Sequence, residues 1–262
     1  MDIAPLSHAL TTERVLALLD DLDWTRARVV DVGAGNGYFS HALGERLRAR
    51  GLDPGAHIAA CDVVPGEFRY APVACAAIGA DGRLPFDDAA FDAVVSIEVV
   101  EHVENQFAFL RELARIARPG AAVIVTTPNT LNANSRLRTL LQGFPLLFDP
   151  LPLAAGDVRH LSGHIHPISP YFLAVAALRA GLVDPRFHPD RTKASAAVQT
   201  TLLAPALWLA AAVQRRRLRR KAPEVYAQNA ALLAALNGWG LLTCRTAVLA
   251  MCKPATLPPP AP

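Results

Sequence analysis

Three ionisable side chains stand close together in the segment Glu98-Val99-Val100-Glu101-His102. At helical spacing, Glu98 would share one face with Glu101 or His102. Imidazole titrates near neutral pH, so His102 is suited to act as a general base on a substrate hydroxyl, with Glu101 beside it. Alternatively, the carboxylates and the imidazole could bind a divalent cation such as Mg²⁺, which would lower the pKa of substrate oxygens. A third interpretation, in which His102 only lines a pocket, also stays open.

A second motif is suited to binding a ligand. The pattern Asp31-x-Gly33-x-Gly35-x-Gly37 follows an apolar run that predicts a buried strand. The glycines let the backbone turn sharply and approach a ligand, and a helix begins directly after them. Nicotinamide dinucleotide sites use the spacing Gly-x-Gly-x-x-Gly instead. The acid at Asp31 would repel a pyrophosphate and attract a cation such as an ammonium group.

Other polar residues follow further predicted strands. Asp62 ends the second strand, where an acid can accept hydrogen bonds from both ribose hydroxyls of a nucleoside. Asp81 and Gly82 lie in the loop after the third strand, and Asn129 follows the fifth. Because the carboxyl ends of parallel strands meet at one edge of a sheet, these residues predict a ligand site at that edge.

This set of motifs resembles the class I S-adenosylmethionine (SAM) dependent methyltransferases of the type 11/12 kind, including the ubiquinone-pathway O-methyltransferases. The resemblance covers residues 25–190 and the last strand. It implies SAM as cofactor and an adenine contact for Asp81. The expected cofactor-binding residues are Asp31, Gly33, Gly35, Gly37, Asp62, Asp81, Gly82 and Glu98.

The same resemblance bears on a metal. Similar clusters bind a metal in the methyltransferases that act on small-RNA 3′ ends, and those enzymes add a histidine shortly before a capped helix. His164 stands at the comparable place, before Ser169, although His160 or His166 could take that role. The implied ligand set is Glu98, Glu101, His102 and His164.

Apolar runs and helical segments alternate along the chain, which predicts an α/β fold. We expect a Rossmann-like, doubly wound, seven-stranded and mostly parallel sheet with helices on both faces. The resemblance implies that the last strand lies antiparallel beside the fifth. The predicted helix starts are Thr11 or Thr12, Asn134 or Ser135, and Ser169-Pro170. The predicted helix stop is Pro119-Gly120. The expected strands span 26–32, 57–62, 73–78, 91–97, 121–127, 182–187 and 247–253.

The domain plan has three parts. Residues 1–24 form a helical cover for the cofactor site or a simple packing helix, and residues 25–253 form the methyltransferase domain. An apolar and basic helical insert at 194–240 precedes the last strand, and the Pro-rich tail 254–262 is expected to be disordered.

The positive charge is concentrated in one place. The segment 215–221 holds six positive charges in seven positions, and the chain's net charge of +3 would be −3 without them. Next to an apolar helix, this run favours an anionic membrane surface reached through 194–244, while a lid or a homodimer contact remains open. A nucleic-acid partner is not expected, since the basic run adjoins no aromatic stacking platform.

The four cysteines form no C-x-x-C pair, which favours a reducing cytoplasm, and the first residues lack the pattern of a signal peptide. We therefore expect a cytoplasmic enzyme, or one peripheral on the inner face of the membrane. Its predicted reaction is SAM-dependent methylation of a hydroxyl on a small amphipathic, lipid-linked or glycan acceptor. The alternatives are a non-catalytic SAM-fold binding subunit and a nucleic-acid methyltransferase.

Overall fold

The computed structural model describes residues 3–153 and 163–255. Its seven strands are β1 (Val29–Val32), β2 (Ile58–Asp62), β3 (Cys75–Ala77), β4 (Phe91–Ile97), β5 (Ala117–Pro128), β6 (Val183–Pro189) and β7 (Thr246–Cys252). They form one sheet in the order β3-β2-β1-β4-β5-β7-β6. Strands β1 to β5 pair in parallel, and β7 lies antiparallel between β5 and β6. The predicted fold and the antiparallel last strand are confirmed.

The described helices cover both faces of this sheet. They are α1 (Ala9–Ala17), α2 (Tyr38–Ala49), α3 (Pro54–His57), α4 (Gln106–Ile116), α5 (Ala133–Gln142), α6 (Pro170–Arg179), α7 (Ala194–Lys221), α8 (Pro223–Leu236) and α9 (Trp239–Thr243). Short 3₁₀ turns occupy Pro65–Glu67 and Val100–His102. Along β1, Val30 packs with α4 and α6, whereas Val29 packs with α1 and α2. This alternation explains why the strand is apolar at successive positions.

Two of the predicted helix starts are wrong. Helix α1 begins at Ala9, and the His8 side chain accepts the Leu10 N–H, so Thr11 and Thr12 are buried inside the first turn. Helix α5 begins at Ala133, because the Asn132 side chain accepts the Ser135 N–H at 2.8 Å. In both helices, the side chain of the residue just before the helix accepts a hydrogen bond from an N–H group of the first turn, which has no partner within the helix.

The Ser169-Pro170 start of α6 is confirmed. The expected stop at Pro119-Gly120 is not the end of a helix, because α4 ends at Ile116 and β5 begins at Ala117. Proline is tolerated near the start of a strand, where a lost N–H donor matters least. Of the Pro-rich tail, residues 256–262 lie outside the described residues.

Candidate functional site

A cavity of about 1020 Å³ opens at the carboxyl ends of the parallel strands. Asp31 and Gly33 from the end of β1, Asp62 from β2 and Glu98 after β4 all line it. The N-terminal segment closes one side, with Leu6, Ser7 and Thr12 among the lining residues. Of the strand ends that the sequence predicts as a ligand site, those of β1, β2 and β4 therefore meet around one space.

The glycine turn after β1 is shaped by close packing. Gly33 has φ +74, and a Cβ there would lie 2.4 Å from a Val99 methyl carbon, so no other residue fits. The Gly35 N–H donates a 2.8 Å hydrogen bond to Asp62 Oδ2. Gly37 has φ +87 but does not line the cavity, and a Cβ there would meet the Phe68 ring at 2.9 Å. Gly37 thus shapes the turn without touching the ligand space.

Asp31 is a buried carboxylate, only 2% exposed, at the base of the cavity. The Ser40 hydroxyl donates a 2.8 Å hydrogen bond to it, and no basic side chain among the described residues forms an ion pair with it. Burial raises the pKa of Asp31 to about 7. A buried acid without a cationic partner fits a ligand that brings a positive charge, as the ammonium and sulfonium groups of SAM do.

Asp62 and Asp81 are held in place by backbone donors. The Gly35 and Val64 N–H groups each donate to one Asp62 oxygen at 2.8 Å, which leaves a further lone pair on each oxygen for ribose hydroxyls. The Arg83 N–H donates to Asp81 at 3.0 Å. Asp62, Asp81 and Gly82 all line the cavity, which is the arrangement expected for binding a nucleoside.

Glu98 adopts a left-handed backbone conformation with φ +54, which is uncommon for a residue other than glycine. Its N–H donates to Thr126, and its carboxylate accepts a 3.0 Å hydrogen bond from the Thr246 hydroxyl. Strands β5 and β7 therefore fix the direction of this side chain into the cavity.

The predicted shared helical face of Glu98, Glu101 and His102 is wrong. Only Val100–His102 form a 3₁₀ turn, so Glu98 lies outside the turn that carries Glu101 and His102. His102 lines the cavity, whereas Glu101 is fully buried behind it, and neither Glu101 oxygen has a hydrogen-bond partner among the described residues. Burial raises the pKa of Glu101 to about 8.

His164 comes close to this turn from a distant part of the chain. Donor atoms of Glu101, His102 and His164 all lie within 4.8 Å of one another, while Glu98 is not part of that group. The His102 Nδ1 lies 3.0 Å from the Gly163 carbonyl, and the His164 Nδ1 lies 2.6 Å from the Leu147 carbonyl. Since a carbonyl only accepts, both Nδ1 atoms donate, and the lone pair of each neutral ring is on Nε2.

Two further candidate histidines are placed differently. His166 Nδ1 donates to the Val103 carbonyl at 2.8 Å, and His166 is not in the cluster, while His160 lies outside the described residues. Asn129, expected at the ligand edge, is buried and donates to the Leu241 and Cys244 carbonyls, away from the large cavity.

Sequence reasoning missed the residues that orient the site. Ser40 stands one helical turn after the glycine motif, and a hydroxyl there facing Asp31 could have been found from its spacing. Thr246 and the carbonyls of Leu147 and Gly163 carry no sequence signal, because their partners are distant in the chain.

Comparison with known proteins identifies related methyltransferases. A family model described as a methyltransferase domain matches residues 30–125. The ubiquinone biosynthesis O-methyltransferase of Xylella fastidiosa (strain M23) is 30% identical over 183 residues, covering 62% of this chain and 71% of that protein. The demethylmenaquinone methyltransferase of Tropheryma whipplei (strain Twist) is 29% identical over 131 residues, covering 44% of this chain and 52% of that protein.

A solved structure supports the fold alone. The SAM-dependent methyltransferase from Mesorhizobium loti has a TM-score of 0.53 at 15% identity, and the match covers 95% of this chain and 100% of that one. The similarity to the curated relative and to the family model, together with the glycine turn and the acidic strand ends, shows that the chain belongs to the class I SAM-dependent methyltransferases.

Proposed function

We propose that this enzyme methylates a hydroxyl group on a small acceptor that carries a large apolar group. Relatives named for ubiquinone biosynthesis support an acceptor of this class. The single observation that carries the proposal is the position of His102, which lines the cavity with its Nδ1 held by the Gly163 carbonyl. When bound, SAM supplies an activated methyl group, so the protein has to position and deprotonate the nucleophile.

The chain's own residues are suited to that task. Burial lowers the pKa of His102, so the ring is neutral at neutral pH and its Nε2 lone pair can take the hydroxyl proton. Asp31 would hold the cationic end of the cofactor, and Asp62 would hold its ribose. Leu6 and Ser7 of the N-terminal segment line one side of the cavity.

The test uses labelled SAM and a lipid extract from cells that lack this protein as the acceptor pool. We expect wild-type protein to form a product that carries a new methoxy group. His102→Ala should bind SAM with unchanged affinity and turn over about 10²–10⁴-fold more slowly. His41→Ala, on helix α2 and outside the cavity lining, is the matched control. Equal activity of His102→Ala and wild type would refute the general-base role, and failure to form any methylated product would favour a non-catalytic binding subunit.

A second candidate chemistry, with a metal, is favoured by the buried carboxylate of Glu101. Among the residues that the structure describes, both of its oxygens lack hydrogen-bond partners, and it lies with His102 and His164 in a group of three donors. In metal sites, the second ring nitrogen of a ligating histidine usually donates to a carbonyl or carboxylate, as both histidines do here. A divalent ion held by these residues would lower the pKa of the acceptor hydroxyl.

The donor set also bears on which ion would bind. Two imidazoles and one carboxylate are more typical of Mn²⁺ or Zn²⁺ than of Mg²⁺, which prefers oxygen ligands. Equilibrium dialysis with each ion alone tests this, with Glu101→Gln and His164→Ala as the disabling variants and Glu224→Gln, on α8, as the control. Binding of one ion per chain that both variants abolish and the control retains would support the site. Activity that resists chelators, with no ion bound, would leave His102 as the base alone.

Helix α7 has one buried face and one exposed apolar face, which suggests the environment in which the enzyme meets its acceptor. Its small residues Ala196, Thr200, Ala204 and Ala211 are buried against the domain. Its large apolar residues on the opposite face are exposed: Val198 by 62%, Leu202 by 76%, Leu209 by 67% and Val213 by 60%. No α7 residue lines the large cavity, so the structure does not place this helix as a lid.

We propose that this exposed face rests on an anionic membrane surface. By length and composition α7 could cross a membrane, yet Thr200 and Trp208 hydrogen-bond to the Leu242 and Asn237 carbonyls and hold it along the domain. The basic run at 215–221 ends the same helix and is complementary to anionic headgroups, each Lys or Arg contributing about 1 kcal/mol near such a surface.

Sedimentation with vesicles tests this surface. We expect the protein to bind vesicles that contain phosphatidylglycerol at low salt, and to detach partly at high salt because salt screens the basic run. Leu202→Ser combined with Leu209→Ser should weaken binding, whereas Phe172→Ser, which changes an exposed apolar residue on α6, should not. Absence of vesicle binding together with a dimer in light scattering would instead assign this face to a second copy of the chain.

A further inference from the structure

A second, smaller cavity of about 300 Å³ lies between the start of α5, the start of α7 and the start of β7. Its described lining residues are Asn129, Asn132, Leu146, Leu147, Arg191, Lys193 and Arg245. Three of these seven residues are cationic and none is acidic. Such a concentration of one charge in a partly enclosed space is costly unless an anion is present.

The charges in this cavity are only partly balanced. Asp190, whose side chain is fully buried, pairs with Arg191 at 3.2 Å and accepts the Arg245 and Thr246 N–H groups with its other oxygen. Among the described residues, the side chains of Lys193 and Arg245 form no ion pair. The cavity therefore keeps two cationic side chains available for a ligand.

Two helix N-termini add to the positive potential. Asn132 precedes α5, and Lys193 precedes α7, with no side chain capping the latter. The N-terminus of a helix carries a partial positive charge, so a lysine there is unfavourable unless an anion lies nearby. The sequence thus places a cation where the helix itself already attracts an anion.

Hydrogen bonds to main-chain carbonyls hold the two asparagines in the wall of this cavity. The Asn129 amide donates to the Leu241 and Cys244 carbonyls, and the Asn132 amide donates to the Asn129 carbonyl at 2.9 Å. Leu147, whose carbonyl accepts the His164 ring, also lines it. The small cavity and the histidine cluster therefore share Leu147, and the asparagines shape the wall while Lys193 and Arg245 remain free to bind.

We propose that this basic cavity binds a phosphoryl group, with Lys193 and Arg245 as its charged contacts. Arginine forms bidentate hydrogen bonds to phosphate oxygens, and lysine supplies a compact charge. The phosphoryl group belongs either to a small phosphate ester or to a lipid headgroup, and the site does not depend on the proposed methyl acceptor.

Calorimetry with pyrophosphate as the probe tests the site. We expect saturable binding of one pyrophosphate per chain, weakened at least tenfold by Lys193→Gln and by Arg245→Gln. Arg179→Gln, an exposed charge on α6, is the control and should bind as wild type does. Unchanged SAM affinity in every variant would show that each one is folded. Absence of saturable binding, or equal weakening by the control, would overturn the proposal.

The source of the phosphoryl group is distinguished by two further titrations. Glycerol phosphate and short-chain dihexanoyl phosphatidic acid share the group and differ in the apolar part. Tighter binding of the phosphatidic acid, lost in Arg245→Gln, would assign the cavity to a lipid headgroup. Equal binding of the two would assign it to a small phosphate ester.

Discussion

Asp31→Asn should make the cofactor-free protein more stable while removing its ability to bind SAM. The carboxylate is buried, accepts a hydrogen bond from Ser40 and has no ion-pair partner among the described residues. Asparagine has nearly the same shape, and its Oδ1 can still accept from the Ser40 hydroxyl. The substitution therefore removes the charge and leaves the packing intact.

The size of the effect follows from the pKa of Asp31. Folding raises this pKa from 3.8 to about 7, because burial disfavours the charged form. One pKa unit corresponds to about 1.36 kcal/mol, so ionised Asp31 destabilises the folded state by about 4 kcal/mol. The native state holds its proton more tightly than the unfolded chain does, so this cost grows from about pH 4 to about pH 7 and is constant above.

Urea denaturation of the cofactor-free protein at several pH values measures this cost. The unfolding free energy of Asp31→Asn should match that of wild type near pH 4 and exceed it by up to about 4 kcal/mol near pH 8. Asp92→Asn is the matched control with the opposite sign: burial raises the pKa of Asp92, but hydrogen bonds from Arg118 and from the Arg28 N–H outweigh it and hold that pKa below its usual value. An Asp31→Asn variant that is less stable than wild type at pH 8 would refute the reasoning.

Three other predictions concern the same cavity. SAM affinity should fall up to about tenfold per pH unit below pH 7 and stay constant above it, since the ionised form of Asp31 binds the cation; isothermal titration checks this, and a flat profile would contradict it. Asp62→Ala should weaken SAM binding by about 1.5–3 kcal/mol, the usual contribution of hydrogen bonds to a charged group, as measured by calorimetry. Gly33→Ala should destabilise the fold because its Cβ would meet Val99. Adding Val99→Ala should restore only part of the lost stability, since a φ of +74 remains strained for alanine. Thermal melts of the single and double variants measure both effects.

Much of the sheet could be predicted because its strands are buried on both faces. Such strands are unbroken apolar runs, and turn residues mark their ends, so the residues after them could be assigned to one edge. Phe91–Ile97 was predicted without error, and Asp62 ends β2 as expected. The cofactor half of the site thus depends on local sequence: a strand, a turn and the acid that follows.

Helix starts were harder to predict because several polar side chains compete for the same free N–H groups. Thr11 and Thr12 have the right type for a cap, but both are buried, and the Thr11 hydroxyl donates to Asp190 at 3.2 Å. His8 caps the helix in their place. The Thr11 hydroxyl is engaged by Asp190, 179 positions away along the chain. A rule based on neighbouring residues does not include this contact.

The part of the site around Glu101, His102 and His164 depends on such long-range contacts. The Ile165 and His166 N–H groups both donate to the Glu101 carbonyl at 3.0 Å, and these two main-chain bonds dock the histidine segment on the 3₁₀ turn. Residue type does not reveal which main-chain N–H groups form such bonds. The sequence could therefore name His164 as a candidate but could not place it beside His102.

The residues that follow β4 also connect the cofactor turn to the histidine cluster. Val99, which packs on Gly33 of the cofactor turn, directly precedes the 3₁₀ turn that holds Glu101 and His102. Glu98, one residue earlier, is fixed by Thr246 at the start of β7, and the adjacent Arg245 lines the basic cavity. The segment from Glu98 to His102 therefore approaches the cofactor turn, carries two members of the histidine cluster and is hydrogen-bonded to the strand start beside the second cavity.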